Sequence, residues 1–87
     1  MADGSADRRE TPEQWNNRKQ EVMIGLTFQK FLLNKGLRQR LIDTGDNYLE
    51  ETNAWGDTFF GVDIKKGGDN RLGKILMSIR DFWAKME

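Results

Sequence analysis

Residues 70–86, NRLGKILMSIRDFWAKM, carry the clearest helical pattern in the chain. Their apolar side chains recur at the spacing that places them on one face of a helix. Asp69 or Asn70 stands just before the run, where either side chain can serve as the N-cap. We therefore predict a C-terminal helix that holds much of the core. Its apolar face comprises Leu72, Ile75, Leu76, Ile79, Phe82, Trp83 and Met86.

A longer helix is predicted closer to the N-terminus. Thr11, Pro12 and Gln14 have the pattern of a capping box with proline at the first helical position. The apolar series that follows predicts a helix from about Pro12 to Leu33. The stripe that we expect it to bury comprises Trp15, Val22, Leu26 and Leu33, with Met23 beside them and with Ile24, Phe28 and Phe31 widening the arc.

A second, shorter helix is predicted after a break in the long one. Asn34 can cap it, and Leu37, Leu41 and Ile42 give it an apolar side. Gly45 is suited to the left-handed conformation that commonly follows the end of a helix.

The sequence favours a short β segment between this helix and the last one. A strand is predicted to start at Tyr48-Leu49, and residues 58–62 are rich in β-prone side chains. Residues 63–69, composed largely of glycine, lysine and aspartate, are predicted to form a loop. The predicted fold class is therefore α+β and mostly helical, with a long helix, a short helix, a short β segment and a C-terminal helix.

The length of 87 residues allows a single domain. Residues 1–10 offer little to bury, and we predict that they form a flexible N-terminal tail. Residues 11–87 are predicted to form one domain.

The composition excludes several kinds of site. Fourteen basic residues balance fourteen acidic ones, so no basic excess points to a nucleic-acid partner. The chain has no histidine and no cysteine, which excludes disulfides, thiol nucleophiles and an imidazole base. We expect no metal site and no cofactor. No run approaches the roughly 20 apolar residues of a membrane span, and we expect a cytoplasmic protein without membrane contact.

The residues that could carry chemistry lie between Leu49 and Gly73. The indole of Trp55 offers a stacking face, and the nearby carboxylates could accept ribose hydroxyls or stabilise an oxocarbenium ion. Backbone N–H groups of residues 67–70, just before a helix, could bind a phosphate. The acidic side chains are Glu50, Glu51 and Asp57, and the basic ones near the glycines are Lys65, Lys66 and Arg71.

Each of these features also has a structural interpretation. Trp55 could anchor the loop or lie in the core, and Glu50 and Glu51 could be solvated charges at a strand end. Gly67-Gly68 lacks the spacing of a dinucleotide-binding or P-loop motif and could simply form a tight turn.

The string NAWGDTFFGVDIKKGGDNRLGKILMSIRDFW, residues 53–83, resembles the C-terminal signature of the NADAR superfamily of YbiA-like domains. Looser matches extend the resemblance to about residues 12–86. The matching motifs are W-G-D at Trp55-Gly56-Asp57, a glycine-rich loop at Gly68, N-x-L-G at residues 70–73 and L-M-x-x-R at residues 76–80.

The resemblance implies a role in NAD, ADP-ribose or riboflavin-intermediate metabolism, with hydrolysis of a ribose–nitrogen bond. It implies that Trp55 stacks on the ligand, that Asn70 and the Gly68 loop contact phosphate or ribose, and that Gly73 allows close helix packing. The candidate site residues are Asp57 and Glu51 for catalysis and Trp55, Gly56, Gly68, Asn70 and Arg71 for ligand binding.

The resemblance covers only the C-terminal half of a family domain, so we expect an open pocket and an exposed apolar face. The expected ligand is an ADP-ribose-like or phosphoribosyl small molecule. A lone half could be an enzyme, a ligand-binding remnant, or a non-enzymatic module that associates with itself or with a partner supplying the missing half.

Overall fold

The computed structural model describes residues 10–86. Three helices and two very short strands follow one another, and the predicted mostly helical α+β fold is confirmed. The helices are α1 (Pro12–Leu32), α2 (Lys35–Asp43) and α3 (Arg71–Met86), and the strands are β1 (Thr52–Asn53) and β2 (Val62–Asp63). The predicted flexible tail, apart from Glu10, lies outside the described residues.

The start of α1 confirms the capping box. The Thr11 hydroxyl accepts a hydrogen bond from the Gln14 backbone N–H at 3.0 Å, and the Gln14 side chain accepts one from the Thr11 N–H at 2.9 Å. These two bonds satisfy N–H groups that have no partner within the helix. Pro12 occupies the first turn, as predicted.

Helix α2 also has the predicted ends. The Asn34 side chain accepts from the Leu37 N–H at 3.1 Å, and Gly45 has a φ of +62° just beyond the helix. Arg38 then turns back and donates to the backbone carbonyls of Phe31 and Leu32 at 3.2 and 3.1 Å. The guanidinium therefore satisfies carbonyl groups at the end of α1 and fastens the two helices at their junction.

The β segment differs from the prediction. No strand starts at Tyr48-Leu49, and within residues 58–62 only Val62 belongs to a strand. The two strands run parallel, with Thr52 opposite Val62 and Asn53 opposite Asp63. Residues 58–61 stay out of the sheet because their carbonyls accept hydrogen bonds from the chain that enters α3.

The core lies where the three helices meet. Its buried members are Phe31, Leu41, Ile75 and Ile79, and Met23, Phe28, Leu37, Leu49, Leu76 and Trp83 pack against them. Phe28 stacks on Trp83 with ring centroids 5.8 Å apart. Phe82 and Met86, which we predicted on the buried face of α3, are instead 45% and 66% exposed.

The stripe that we expected α1 to bury is exposed. Its members range from 45% exposed at Trp15 to 75% at Leu33, with Val22 and Leu26 in between. Helix α1 packs through a neighbouring face instead, where Thr27 and Phe31 are buried. The prediction of burial was wrong because α2 and α3 lie on one side of α1 and leave its apolar stripe uncovered.

The described part of the chain is flat, with principal extents of 54 × 33 × 17 Å. None of its helices is long and apolar enough to cross a membrane.

Candidate functional site

The loop between β1 and β2 is held from inside by Asn53. This side chain is buried; its amide nitrogen donates to the Asp57 carbonyl at 2.9 Å. Its oxygen accepts from the backbone N–H groups of Trp55 and Asp57 at 3.3 and 3.0 Å. The turn that contains Trp55 and Gly56 is therefore closed by three hydrogen bonds to one amide group.

A second buried side chain, Asp63, fastens the same turn from β2. One carboxylate oxygen accepts from the Gly56 N–H at 2.7 Å, and the other accepts from the N–H groups of Lys65 and Lys66, each at 2.9 Å. The bonds from Lys65 and then Lys66, with a further one from Gly56, lower the pKa of the Asp63 carboxyl below its ordinary value, against the opposing effect of its burial.

Trp55 projects from this fastened turn. Its side chain is 80% exposed, and the next residue, Gly56, has a φ of +88°, a conformation that favours glycine. The interpretation of Trp55 as a core residue is therefore wrong. An exposed indole on a turn with little freedom presents a ready stacking surface.

Asp57 follows the indole and shapes the next turn. One of its carboxylate oxygens, Oδ1, accepts from the backbone N–H groups of Phe59 and Phe60 at 3.0 and 3.1 Å. These bonds fix the orientation of the carboxylate. The second oxygen takes part in none of the hydrogen bonds described for residues 10–86, which leaves it able to face a ligand.

Glu51 stands on the other side of β1 and is exposed. Its backbone N–H donates to the Asn70 side-chain oxygen at 2.8 Å. Glu51 lines a groove of about 360 Å³ between α1 and α3, which Lys30 and an apolar floor also line. The floor comprises Met23, Leu26, Phe31, Leu72 and Leu76.

Asn70 is almost completely buried and is engaged inside the protein. Its amide nitrogen donates to the Leu49 carbonyl at 2.8 Å and to the Tyr48 hydroxyl at 2.9 Å, while its oxygen accepts from Glu51. Both amide hydrogens are therefore used, and Asn70 joins the Glu51 backbone to the start of α3. The expected contact of Asn70 with phosphate or ribose stays a prediction, and the geometry favours a positioning role for this residue.

The prediction that backbone N–H groups of the glycine loop bind a phosphate is wrong for most of these groups. The backbone N–H groups of residues 69–72 donate to the carbonyls of residues 58–61 at 2.8 to 3.3 Å, and the Gly67 N–H donates to the Asp63 carbonyl at 2.9 Å. Because these N–H groups already donate to backbone carbonyls, they are not available to bind an anion.

Gly68 and Gly73 allow two close backbone approaches. A Cβ atom at Gly68 would collide with the Gly61 carbonyl, and one at Gly73 would collide with the Leu49 carbonyl and the Asn70 side chain. The close packing expected at Gly73 is therefore observed, and Gly68 has a structural role beside any contact with a ligand.

Arg71 and Glu51 line different cavities. The Arg71 guanidinium sits 4.3 Å from the centre of the Phe59 ring, bonds to the Gln20 side chain and approaches Asp69 at 3.4 Å. Arg71 lines a cavity of about 490 Å³, which also lies between α1 and α3. The structure thus gathers Trp55, Gly56 and Asp57 on one fastened turn, links Asn70 to Glu51, and places Arg71 over the ring of Phe59, two residues after Asp57.

The sequence interpretation missed Asn53 and Asp63, the two residues that hold the turn. Asp63 was assigned to a glycine and lysine loop, although an aspartate just before a turn commonly accepts hydrogen bonds from backbone N–H groups two residues on. Asn53 carries the same local signal, because its side-chain oxygen accepts from the backbone N–H of Trp55, two residues on. Within residues 10–86 no group of three or more His, Cys, Asp or Glu is arranged to hold a metal ion.

Comparisons with known proteins point to one family. Residues 2–83 match the NADAR domain. The chain is 37% identical over 78 residues to an N-glycosidase of Nostoc punctiforme, covering 90% of this chain and 49% of the relative. It is 39% identical over 67 residues to a riboflavin biosynthesis protein of Vibrio vulnificus, covering 77% of this chain and 18% of that relative. No solved structure matches. The chain thus spans about half the length of the first relative and less than a fifth of the second.

Proposed function

Because this chain belongs to the NADAR domain family, we propose that its fastened turn serves the hydrolysis of a bond between ribose and nitrogen. One relative is named an N-glycosidase and another a riboflavin biosynthesis protein. The observation that carries the proposal is the exposed Trp55 indole, held on a turn that continues directly into the fixed carboxylate of Asp57.

The chemistry needs two acidic groups and a stacking surface. Water attacks the anomeric carbon of the ribose, the carbon–nitrogen bond breaks, and the departing nitrogen keeps the electron pair. The sugar carries positive charge in the transition state, which a nearby carboxylate stabilises. We assign this stabilisation to Asp57 and the removal of the proton from water to Glu51, from which the proton passes to the departing nitrogen, while Trp55 stacks on the base or ring that leaves.

The substrate is proposed to be an ADP-ribose-like or phosphoribosyl compound. Lys65 and Lys66 flank the turn, with the Lys66 ammonium 3.6 Å from the position that a Cβ atom would occupy at Gly56. A cation at this distance from the turn can bind a phosphate attached to the ribose. The expected cytoplasmic location stays a prediction.

Incubation with candidate substrates tests the proposal. Purified protein is mixed with ADP-ribosylated guanosine or with the phosphoribosyl-bearing riboflavin intermediate, and release of the sugar is followed by chromatography. We expect release from at least one substrate, and we expect Asp57→Asn and Glu51→Gln each to lower the rate by about 10²-fold or more. Asparagine can still accept the hydrogen bonds from Phe59 and Phe60, so the turn should persist in the first variant.

Glu50→Gln is the matched control, because Glu50 is an exposed carboxylate next to Glu51. Its rate should equal that of the wild type. Absence of sugar release from both substrates by folded wild-type protein would contradict the proposed hydrolysis of ADP-ribose-like and phosphoribosyl compounds by this chain.

A second candidate function is ligand binding without hydrolysis, and the exposure of Trp55 favours it independently of the carboxylates. Calorimetry with ADP-ribose separates the two. Binding that is lost in Trp55→Ala, together with no turnover of either substrate, supports a binding protein. Equal affinity of wild type and Trp55→Ala would exclude a stacking role for the indole.

A further inference from the structure

The cavity of about 490 Å³ between α1 and α3, which we call the Arg71 cavity, is separate from the fastened turn. Neither Glu51 nor Trp55 nor Asp57 lines it. Its volume lies within the range of about 300–1,000 Å³ that is usual for small-molecule sites. Its polar lining residues are Gln20, Asp69, Arg71, Lys74 and Ser78.

We propose that the Arg71 cavity binds a phosphate monoester that carries a small apolar or aromatic group. The cavity brings two cationic side chains and a hydroxyl together with an apolar wall, and a phosphate monoester offers the matching parts. The inference goes beyond the hydrolysis that we assign to the fastened turn and does not depend on it.

Three donor side chains of α3 reach the cavity because of their spacing. Arg71, Lys74 and Ser78 are separated by three and then four residues, which places them on one side of a helix. Their guanidinium, ammonium and hydroxyl groups all donate hydrogen bonds. A phosphate monoester has three acceptor oxygens and nearly two negative charges at neutral pH. It therefore matches these donors better than a carboxylate, which has two oxygens and one charge.

The Arg71 guanidinium is already held in place, although only part of its donor capacity is used. Its Nε donates to Asp69 at 3.4 Å and its Nη1 donates to the Gln20 side-chain oxygen, while the group lies over the Phe59 ring. A guanidinium has five N–H donors. The hydrogen bonds described for residues 10–86 occupy two of them, which leaves three for a ligand. Because the side chain is already ordered, binding an anion costs it little conformational entropy.

Positive charge is in excess around the cavity, although the chain as a whole is neutral. Asp69 is the acidic side chain among the lining residues, and it is already paired with Arg71. Lys74 takes part in none of the ion pairs described for residues 10–86. Lys19 adds another cation nearby, since its ammonium lies 4.0 Å from the centre of the same Phe59 ring that Arg71 covers. An anion in the cavity would compensate this charge.

The donors for the ligand are side chains and not the backbone at the start of α3. The backbone N–H groups of residues 71 and 72 donate to the carbonyls of residues 59 and 60. Replacing a single side chain therefore tests the site directly.

Part of the cavity wall is apolar, which favours an ester over a free phosphate ion. Ile24 of α1 and Ile75 and Ile79 of α3 form this part. Ile24 is 42% exposed. A phosphate ion would leave the isoleucines in contact with water, whereas the ring of an ester would cover them and gain the free energy of burying apolar surface.

Titration of the nitrogen-15-labelled chain with phenyl phosphate, followed by nuclear magnetic resonance, tests the inference. We expect saturating shifts of the backbone amide signals of residues 71–78, with half-saturation below about 1 mM. Phenol, which lacks the phosphate, and inorganic phosphate, which lacks the ring, should each bind about tenfold more weakly or worse. The indole N–H signal of Trp55 should not move, because the indole does not line the cavity.

Lys74→Gln removes the ammonium and keeps a polar side chain on α3, and we expect it to weaken phenyl phosphate binding about fivefold or more. Lys85→Gln is the matched control, because Lys85 is an exposed lysine of the same helix that does not line the cavity. It should bind like the wild type, and circular dichroism should show that both variants keep their helices.

Absence of saturating shifts, shifts centred on Trp55, or equal affinity of Lys74→Gln and the wild type would each overturn the inference. Inorganic phosphate that binds as tightly as phenyl phosphate would also overturn it, since the cavity would then hold an adventitious ion only.

Discussion

At the scale of single residues, two buried polar side chains do most to define the candidate site. Asn53 and Asp63 together accept or donate six hydrogen bonds, four of which close the turn carrying Trp55. Neither was predicted as a site residue. The site residues predicted from motifs instead divide into exposed groups, such as Trp55, and buried ones, such as Asn70.

Asp63 should make the stability of the protein depend on pH. Its folded-state pKa lies below the ordinary value, so its contribution is fully present above the unfolded-state value of about 3.9 and is lost as the pH falls through the folded-state value. We expect Asp63→Asn to unfold at a lower urea concentration than the wild type at pH 7. The gap between the two midpoints should narrow below about pH 4. A gap that stays constant with pH would show that the charge of Asp63 contributes nothing.

Asn70 should be important for stability as well as for the site. Asn70→Ala leaves the Glu51 N–H and the Leu49 carbonyl without their partner, and we expect a loss of about 2 kcal/mol or more in the free energy of unfolding. Asn47→Ala serves as the control, because the Asn47 side chain is exposed. Urea denaturation measures the free energy of unfolding of both variants. Equal values for Asn70→Ala and Asn47→Ala would contradict a structural role for the Asn70 amide.

At the scale of elements, the start of α1 and both ends of α2 were predictable, whereas the strands and the predicted Asn70 cap of α3 were not, because the Asn70 side chain bonds to Tyr48, Leu49 and Glu51 instead. Thr11, Asn34 and Gly45 act through bonds and backbone angles within a few residues, so their signals are local. The strands depend on where the carbonyls of residues 58–61 find partners, and those partners lie in the chain entering α3. For the same reason, the motif did not reveal that most backbone N–H groups of the glycine loop already have partners.

The capping box offers a direct test of the start of α1. Thr11→Ala removes the acceptor for the Gln14 N–H, and we expect it to cost about 1 kcal/mol of stability. Thr11→Ser keeps the hydroxyl and should restore most of that loss. Thermal unfolding followed by circular dichroism distinguishes the two, and equal melting temperatures for the alanine and serine variants would show that the cap is not used.

Arg80 joins α3 to the turn that follows α2. It is buried and donates to the Thr44 hydroxyl at 2.9 Å and to the Asn47 carbonyl at 2.8 Å. We expect Arg80→Ala to lower the free energy of unfolding by about 2–3 kcal/mol, since both hydrogen bonds and the packing of the long side chain are lost. Arg40→Ala, on the exposed side of α2, should change it by less than about 0.5 kcal/mol. Similar losses in the two variants would contradict this role of Arg80.

At the scale of the whole molecule, the described chain is more extended than a compact domain. Its radius of gyration is 16.3 Å, whereas a compact chain of this length has about 12 Å. The difference arises because three helices pack in a flat layer only 17 Å thick and leave one face of α1 open. The exposed apolar face that the resemblance implied is present, although the helix stripe that forms it was predicted to be buried.

Because one face of α1 is open, a substitution on that face should lower the free energy of unfolding less than a substitution in the core. Val22→Asp, on the exposed stripe, should change the stability of the isolated chain by less than about 0.5 kcal/mol. Ile79→Ala, in the core, should cost about 2–4 kcal/mol. Chemical denaturation measures both, and a large loss in Val22→Asp would show that the stripe is buried in solution.

The path of the loop between β1 and β2 has a consequence for the order of folding. The bonds that close it join residues near one another in the chain, such as Asn53 to Asp57, Gly56 to Asp63 and Glu51 to Val62. Closing so short a loop costs little chain entropy. The bond from Arg71 to Gln20, by contrast, must wait until distant segments meet. We therefore expect the turn that presents Trp55 to form early, before α1 docks on α3, so that the surface offered to a ligand exists before the core is complete.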